Sequence, residues 1–256
     1  MNKKEFLNSV CSQDKLALSN IFDKINLAAK IEKPVYTNEF YTPDICNDIS
    51  KLSDLLGLQI SIYGIFENSE RNMLLFSKEK VSNFPINLIK IENKSKFTDL
   101  GHRDYMGAIM SLGINRNKFG DLIVENNCCF VAICEDISSY IIDNLTSIGK
   151  CSCSISQLEL TEDNIPSVNF QEFTIIVSSL RLDCLIGSVC NISRSKAVDL
   201  IKKGSVLLNY SIAKEKDSYV PFGTTITIRG HGKYKIASDI GVTGKNRMKI
   251  RMKKFV

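Results

Sequence analysis

Apolar residues in the first thirty positions recur at mixed three- and four-residue spacings: Phe6, Val10, Leu16, Leu18, Ile21, Phe22, Ile25 and Leu27. This spacing lines one side of a helix and predicts helix over residues 3–30. "TPDICNDISKLSDLLG" predicts a second helix, with Thr42 as its cap, Pro43 in its first position and Gly57 at its end. The period then drops to two. "LQISIYGIF" alternates like a strand, and "NMLLFS" follows it after the turn-like "ENSER". These elements form a first α/β unit of residues 1–79.

From residue 80 the pattern reads strand "FPINLIKIE", helix "HRDYMGAIMSLG", a hairpin of "FGDLIVEN" and "CCFVAICE" around Asn126–Asn127, helix "DISSYIIDNLTSIG" and strand "CSCSISQLEL". Strand, helix, strand, strand, helix, strand is the split βαβ order of ferredoxin-like, RRM-like domains. This central unit is expected over 80–172, with the polar, Pro-containing connector "TEDNIPSVNFQ" at its end. The third unit, 173–256, has helices in "SSLRLDCLIGSVCN" and "SRSKAVDLIKKG", then short strands in "SVLLNY", "TTITIRG", "KYKIAS" and "RMKIRMKKF". The fold class expected is α+β in three small units.

Charge changes the picture more than composition does. The net charge is +5, yet residues 175–256 hold sixteen Lys and Arg against five Asp and Glu, while the rest holds 17 against 23. A strongly cationic end on an acidic body points to a polyanionic partner. The longest strictly apolar run, "CCFVAIC", falls far short of the ~20 residues of a membrane span, and the N-terminus lacks the apolar stretch of a secretory signal. The nine cysteines include no Cys-x-x-Cys pair and are read as free thiols, mostly buried, which suits a reducing cytoplasm. No metal and no cofactor is expected.

Two local patterns carry the candidate chemistry. In the helix opened by Ser193 and closed by Gly204, Ala197, Val198, Leu200 and Ile201 form an apolar face. Lys202 and Lys203 lie where cations favour the helix dipole, whereas Arg194 and Lys196 oppose it in the first turn. A phosphate at that N-terminus would account for both. In the tail, Met248, Ile250 and Met252 alternate with Arg247, Lys249, Arg251 and Lys253, predicting a strand with one buried face and one wholly basic face. Such a row is self-repelling without a polyanion nearby.

"RLDCLIGSVCNISRSKAVDLIKKGSVLLN" resembles the alpha-L RNA-binding motif, named for the fourth protein of the small ribosomal subunit; Leu208 replaces its usual small or β-branched residue before Asn209. The resemblance implies that Arg181, Ser193, Arg194, Lys196, Lys202 and Asn209 lie on or beside an RNA face, that Asp183 orients basic neighbours and that Leu182 is core. Lys203, Arg229, Lys233 and the four tail cations complete the expected RNA-binding set. "LGHRDYMGAIMSLGINRNKFGDLIV", "RGHGKYKI", "GVTGKNRMKI" and the turns around "VYTNEFYTPD" resemble the bacterial YlmH family, so the likeness covers most of the chain. It implies a factor of ribosome-associated quality control; the chain is expected to be cytoplasmic, monomeric and non-catalytic. Its partners would be ribosomal RNA, tRNA and the large ribosomal subunit obstructed by peptidyl-tRNA, with no membrane partner.

The central unit lacks the aromatic pattern with which RRM domains stack bases; Arg103, Arg116 and Lys118 are its candidate phosphate contacts. "HRD" at 102–104 lacks the other kinase motifs. The alternative function is an RNA-modifying enzyme of pseudouridine synthase or methyltransferase type using the same RNA-binding module. Against it, Ile186 stands where the synthase motif has Thr or Ser, 73 residues after Asp183 are too few for that catalytic domain, and no Gly-rich turn follows a strand.

Overall fold

The computed structural model describes residues 2–10, 14–31, 33–95, 97–167 and 170–255. They form two compact units, Met1–Ser167 and Val168–Val256. The chain is α+β, as expected.

The first unit begins with α1 (Lys3–Ser9) and α2 (Lys15–Ile31) where one helix was expected. Asn2 and Glu5 close a capping box on α1, and Val10 leaves it in an extended conformation. Asp14 then starts α2 afresh, its Oδ1 accepting the Ala17 N–H at 3.0 Å. The next element, β1 (Val35–Tyr41), escaped the pattern analysis. Asn38 sits at φ +52° and the register shifts between Tyr36 and Phe40, so a bulge breaks the alternation. The expected 42–57 helix is divided into α3 (Pro43–Ser50) and α4 (Ser53–Leu56); Pro43 opens the first, and Gly57 ends the second at φ +62°. β2 (Gln59–Tyr63) and β3 (Asn72–Ser77) complete an antiparallel sheet of order β1-β3-β2. Phe6, Leu18, Ile21, Ile25, Ile45, Ile49, Leu74 and Phe76 pack the helices onto it.

The ferredoxin-like order is realised in β4 (Ile86–Asn93), α5 (His102–Ser111), β5 (Phe119–Glu125), β6 (Cys128–Cys134), α6 (Glu135–Asn144), the short β7 (Ser147–Ile148) and β8 (Cys151–Leu158). The sheet order is β5-β6-β4-β8-β7, antiparallel throughout. Asn126 and Asn127 form the hairpin turn with both φ values positive, 48° and 63°; Asn tolerates this left-handed conformation. Ile89, Ile91, Val131 and Ile133 pack against Tyr105, Ile109 and Ile141.

The second unit contains β9 (Phe170–Val177), α7 (Leu182–Val189), α8 (Arg194–Lys202), β10 (Val206–Leu208), β11 (Ser211–Ile212), β12 (Thr225–Ile228), β13 (Gly232–Val242) and β14 (Met248–Phe255). The sheet order is β11-β10-β12-β13-β14-β9, again antiparallel. β9 was not anticipated, and it contains the 172/173 division expected from sequence. Phe170 pairs with Phe255 and Glu172 with Lys253, so the sheet begins within the expected connector. Leu182, Leu185, Ile186, Ala197 and Ile201 cover one sheet face, packing on Ile175, Ile226, Ile236, Ile250 and Met252.

Among the described residues, eight cysteines are free thiols; five are buried and Cys153, Cys184 and Cys190 are partly so. Burial pushes the Cys46 and Cys134 thiols up to about 12, so neither is a thiolate at neutral pH. No helix among the described residues is long and apolar enough to cross a membrane.

Candidate nucleic-acid interface

The odd cation at the start of α8 has a partner one helix back. Asp183, in the first turn of α7, is 2% exposed. Its Oδ1 accepts Arg181 Nε at 3.2 Å; its Oδ2 accepts Arg181 Nη2 at 3.1 Å and Arg194 Nε at 2.9 Å. Burial alone would push this carboxyl up, but the bonds from Arg181 and Arg194 outweigh it and hold the pKa at about 2. The arginine side chains remain 38% and 57% exposed. Asp183 therefore fixes two guanidinium groups at the helix starts while leaving part of each donor fork in solvent. Backbone bonds place the aspartate, since the Leu182 and Asp183 N–H groups donate to the Ser218 and Lys216 carbonyls at 3.0 Å each.

Ser193 caps α8, its Oγ accepting the Lys196 N–H at 3.4 Å. Lys196 itself is exposed. Seven residues on, about two helical turns, Lys203 returns to the same side. Together with Ile192, Asp199, Leu200 and His231 they line a shallow concavity of about 250 Å³. His231 was not singled out from sequence. It lies in a tight turn between Gly230 (φ +84°) and Gly232 (φ +125°), and that Gly-His-Gly spacing was the available signal. The Arg229 N–H bonds the Ser205 carbonyl at 2.9 Å, tying this turn to the end of α8. Arg229 and Lys202 are exposed.

The two first-turn cations should thus behave differently. Arg194→Ala takes one of two partners from a buried carboxylate, so the thermal midpoint and RNA affinity should both fall. Lys196→Ala should lower affinity with the midpoint within about 2 °C of the parent, as for an exposed surface site. Calorimetry and an RNA titration on the same preparations check both outcomes.

Two of the expected contacts also have structural roles. Asn209 adopts φ +44°, its N–H donates to the Thr225 carbonyl at 2.8 Å, and its Oδ1 accepts the Thr225 N–H at 2.9 Å. It is a turn-former that joins β10 to β12. Asn209→Ala should cost about 1–2 kcal/mol, from the lost bond and a left-handed conformation without Asn. The salt dependence of RNA binding should stay unchanged; denaturant melts and a salt titration test this. Lys233 is held over two rings, with Nζ 4.3 Å from the Tyr210 centroid and 4.9 Å from that of Phe255, and donates to Tyr210 Oη at 3.1 Å.

The tail row is real but not wholly basic. Ile250 and Met252 are fully buried, while Lys249, Arg251 and Lys253 alternate with them on the other side. Arg247 lies before β14, in the preceding turn, where its N–H bonds Thr243 Oγ1 at 3.1 Å. The neighbouring strand supplies a carboxylate that the tail sequence could not show: Glu172 lies 3.4 Å from Lys253 Nζ and 3.9 Å from Arg251 Nε.

In the central domain, Arg103, on α5, is exposed, whereas the other two candidates, in the turn before β5, are engaged. Arg116 Nη1 donates to the Phe119 and Gly120 carbonyls at 2.6 and 3.1 Å, and its guanidinium lies 4.5 Å from the Phe119 ring. Burial, with Arg71 nearby, lowers its pKa to about 10, still charged at neutral pH. Lys118 donates to the Asn38 carbonyl at 3.1 Å and to Asp136 at 2.7 Å. It ties the β1 bulge to the central sheet.

These features define a class: an α+β protein with a ferredoxin-like domain and a cationic helix-on-sheet unit. Its likeness to the YlmH family, legible in the sequence, is shown by comparison. Residues 79–162 match the family described as "Putative RNA-binding domain in YlmH". The chain is 27% identical over 206 residues to the Bacillus subtilis (strain 168) "Ribosome-associated protein quality control protein P2", spanning 79% of this chain and 80% of that protein. It shares the fold of the "Cell division protein ylmH from Streptococcus pneumoniae", with TM-score 0.51 and 24% identity over 60% of this chain and 95% of the other. The family match falls on the ferredoxin-like domain, where sequence analysis placed the fewest contacts.

Proposed function

We propose that this is a non-catalytic, monomeric RNA-binding protein of the cytoplasm. It acts on ribosomal RNA and tRNA at the large ribosomal subunit, in quality control of stalled peptidyl-tRNA. The observation that carries the reading is the Asp183-centred pair of guanidinium groups at the α7 and α8 starts, beside the exposed Lys196. Fixed, half-exposed arginines next to a capped helix start are suited to phosphate. The matched RNA-binding domain and the printed name of the Bacillus relative support the ribosomal setting.

The same geometry favours holding over catalysis. Asp183 occupies the Arg-Leu-Asp position that carries the catalytic carboxylate in pseudouridine synthases, yet here it is buried and bonded to two arginines. Sedimentation of the full chain with separated ribosomal subunits tests the proposal. Co-migration with the large subunit, lost on replacing Lys196 and Lys203 by Gln, is the expected result. A chain that stays at the top of the gradient or follows the small subunit overturns it.

A further inference from the structure

The sheet of the ferredoxin-like domain has a helix side and an open side. Ile89, Ile91, Val131 and Ile133 pack against α5 and α6, so their neighbours Lys90 on β4 and Phe130 on β6 point the other way. The two are paired across the strands, and Lys90 Nζ lies 5.9 Å from the Phe130 ring centroid. Part of the open side is closed by β1: a side chain at Gly120 would meet the Phe40 ring at 3.0 Å and Ala132 at 3.1 Å. The part around Phe130 is crossed instead by the connector that follows β8. Its turn is set by the Asn164 and Ile165 N–H groups, which donate to the Thr161 carbonyl at 3.1 and 3.2 Å, and by Asn164 Nδ2, which donates to the Glu159 carbonyl at 3.1 Å. Between connector and sheet lies a concavity of about 230 Å³, lined by Lys90, Phe130, Glu125, Asp163, Asn164 and Pro166.

A ring, an ammonium, two carboxylates and an amide thus face the same small space. Among the described residues, Lys90, Glu125 and Asp163 form no ion pair and no side-chain hydrogen bond, so all three charges are left to water or a ligand. Asn164 uses its amide nitrogen in the turn and keeps its carbonyl oxygen. The space is smaller than the ~300–1,000 Å³ of pockets that bury a whole drug-sized ligand, so it suits one flat group. Such a group stacks on Phe130. Its edge must offer donors to the acceptor-only carboxylates and an acceptor to the donor-only ammonium. Guanine does both, with N1–H and N2–H₂ for the carboxylates and O6 for Lys90. Adenine would turn its N1 lone pair toward a carboxylate, and an arginine or a polyamine would bring a second cation against Lys90.

We infer that the open face of the ferredoxin-like sheet holds one guanine base, stacked on Phe130 beneath the connector and selected by Glu125, Asp163 and Lys90. The base belongs to a free guanine nucleotide or to an unpaired position of an RNA, and the site uses none of the cations of the second unit. Titration of the isotope-labelled full chain with GMP and with AMP, followed by amide chemical shifts, tests it. The phosphate is common to both ligands, so cations elsewhere contribute equally. GMP should move the amides of β4, β6 and residues 159–167 and bind about 10-fold more tightly than AMP, the effect of a charge-assisted hydrogen bond. Asp163→Asn, at an exposed position, and Glu125→Gln keep the side-chain shapes and should together remove that preference. Phe130→Ala should weaken GMP binding by roughly 10-fold through loss of the base–ring stack; the carboxylate variants carry the test if it does not fold. Equal responses to GMP and AMP, a preference untouched by the carboxylate variants, or tighter binding of arginine amide overturns the site. The trinucleotides UGU and UAU separate the two sources. UGU binding more tightly than both UAU and GMP identifies an RNA position, and GMP binding the most tightly of all identifies a free nucleotide.

Discussion

Asp183→Ala should lower the thermal midpoint of the C-terminal unit by on the order of 10 °C. Removing the carboxylate releases Arg181 and Arg194 from the three bonds that set their positions. Breaking a fully buried ion pair costs about 3–5 kcal/mol; with both arginines partly solvated, about 2–3 kcal/mol is expected. In a domain of this size, 1 kcal/mol moves the midpoint by roughly 4–8 °C. RNA affinity should fall as well, because the freed side chains must be ordered again on binding. Asp183→Asn keeps the shape but not the charge and should be milder. Acid separates charge from shape. The Asp183 pKa, held at about 2, lies below the ~3.9 of an unfolded aspartate. Its contribution is therefore fully present above about pH 4 and is lost as pH falls through about 2. The midpoint gap between the parent and Asp183→Asn should stay constant from pH 7 to about 4, then close. A gap that persists at pH 2 would show that charge is not what Asp183 supplies.

Replacing Lys249, Arg251 and Lys253 together by Gln should weaken RNA binding by roughly 100-fold at 0.15 M salt. Each phosphate contact contributes about 0.7–0.9 to the log–log salt slope, so three lost contacts make it shallower by about 2–3. If roughly six phosphates are neutralised in all, the parent slope is about −4 to −5. The core face of β14 is untouched in the variant, since Ile250 and Met252 remain, and the strand should stay paired with β9 and β13. Glu172 provides a check of opposite sign. It pairs with Arg251 and Lys253, so Glu172→Gln should tighten binding by freeing both for phosphate. Titration on purified ribosomal subunits over a range of salt measures both effects. An unchanged slope in the triple variant would return the row to an ordinary solvated strand.

The elements with clean periodicity were legible in the sequence. The six elements of the ferredoxin-like domain stood out because β4 and β8 alternate, β6 is a short unbroken apolar run, the helices carry 3.6-residue faces and the hairpin turn is Asn-Asn. β1 was hidden because a bulge at Asn38 interrupts the alternation. β9 was hidden because "FQEFTIIV" adjoins a Pro-containing polar connector and becomes a strand through pairing with a tail some eighty residues away. Candidate residues divided along the same line. Ser193 and Lys196 are local features of one helix and occupy the predicted places. The partners of Arg194, Lys233, Arg116 and Lys118 come from other elements, so sequence patterns could name these cations but not what holds them. The puzzle of Arg194 opposing its own helix dipole is resolved by Asp183, eleven residues earlier.

Ultraviolet crosslinking in living cells, with the attached RNA sequenced and the crosslinked peptides identified, tests the central claim most directly. The account predicts large-subunit ribosomal RNA and tRNA as the dominant RNAs, with C-terminal peptides containing Lys196, His231 or the Lys249–Lys253 row among the attachment points. Crosslinks dominated by messenger RNA, or confined to peptides of residues 2–167, would contradict it.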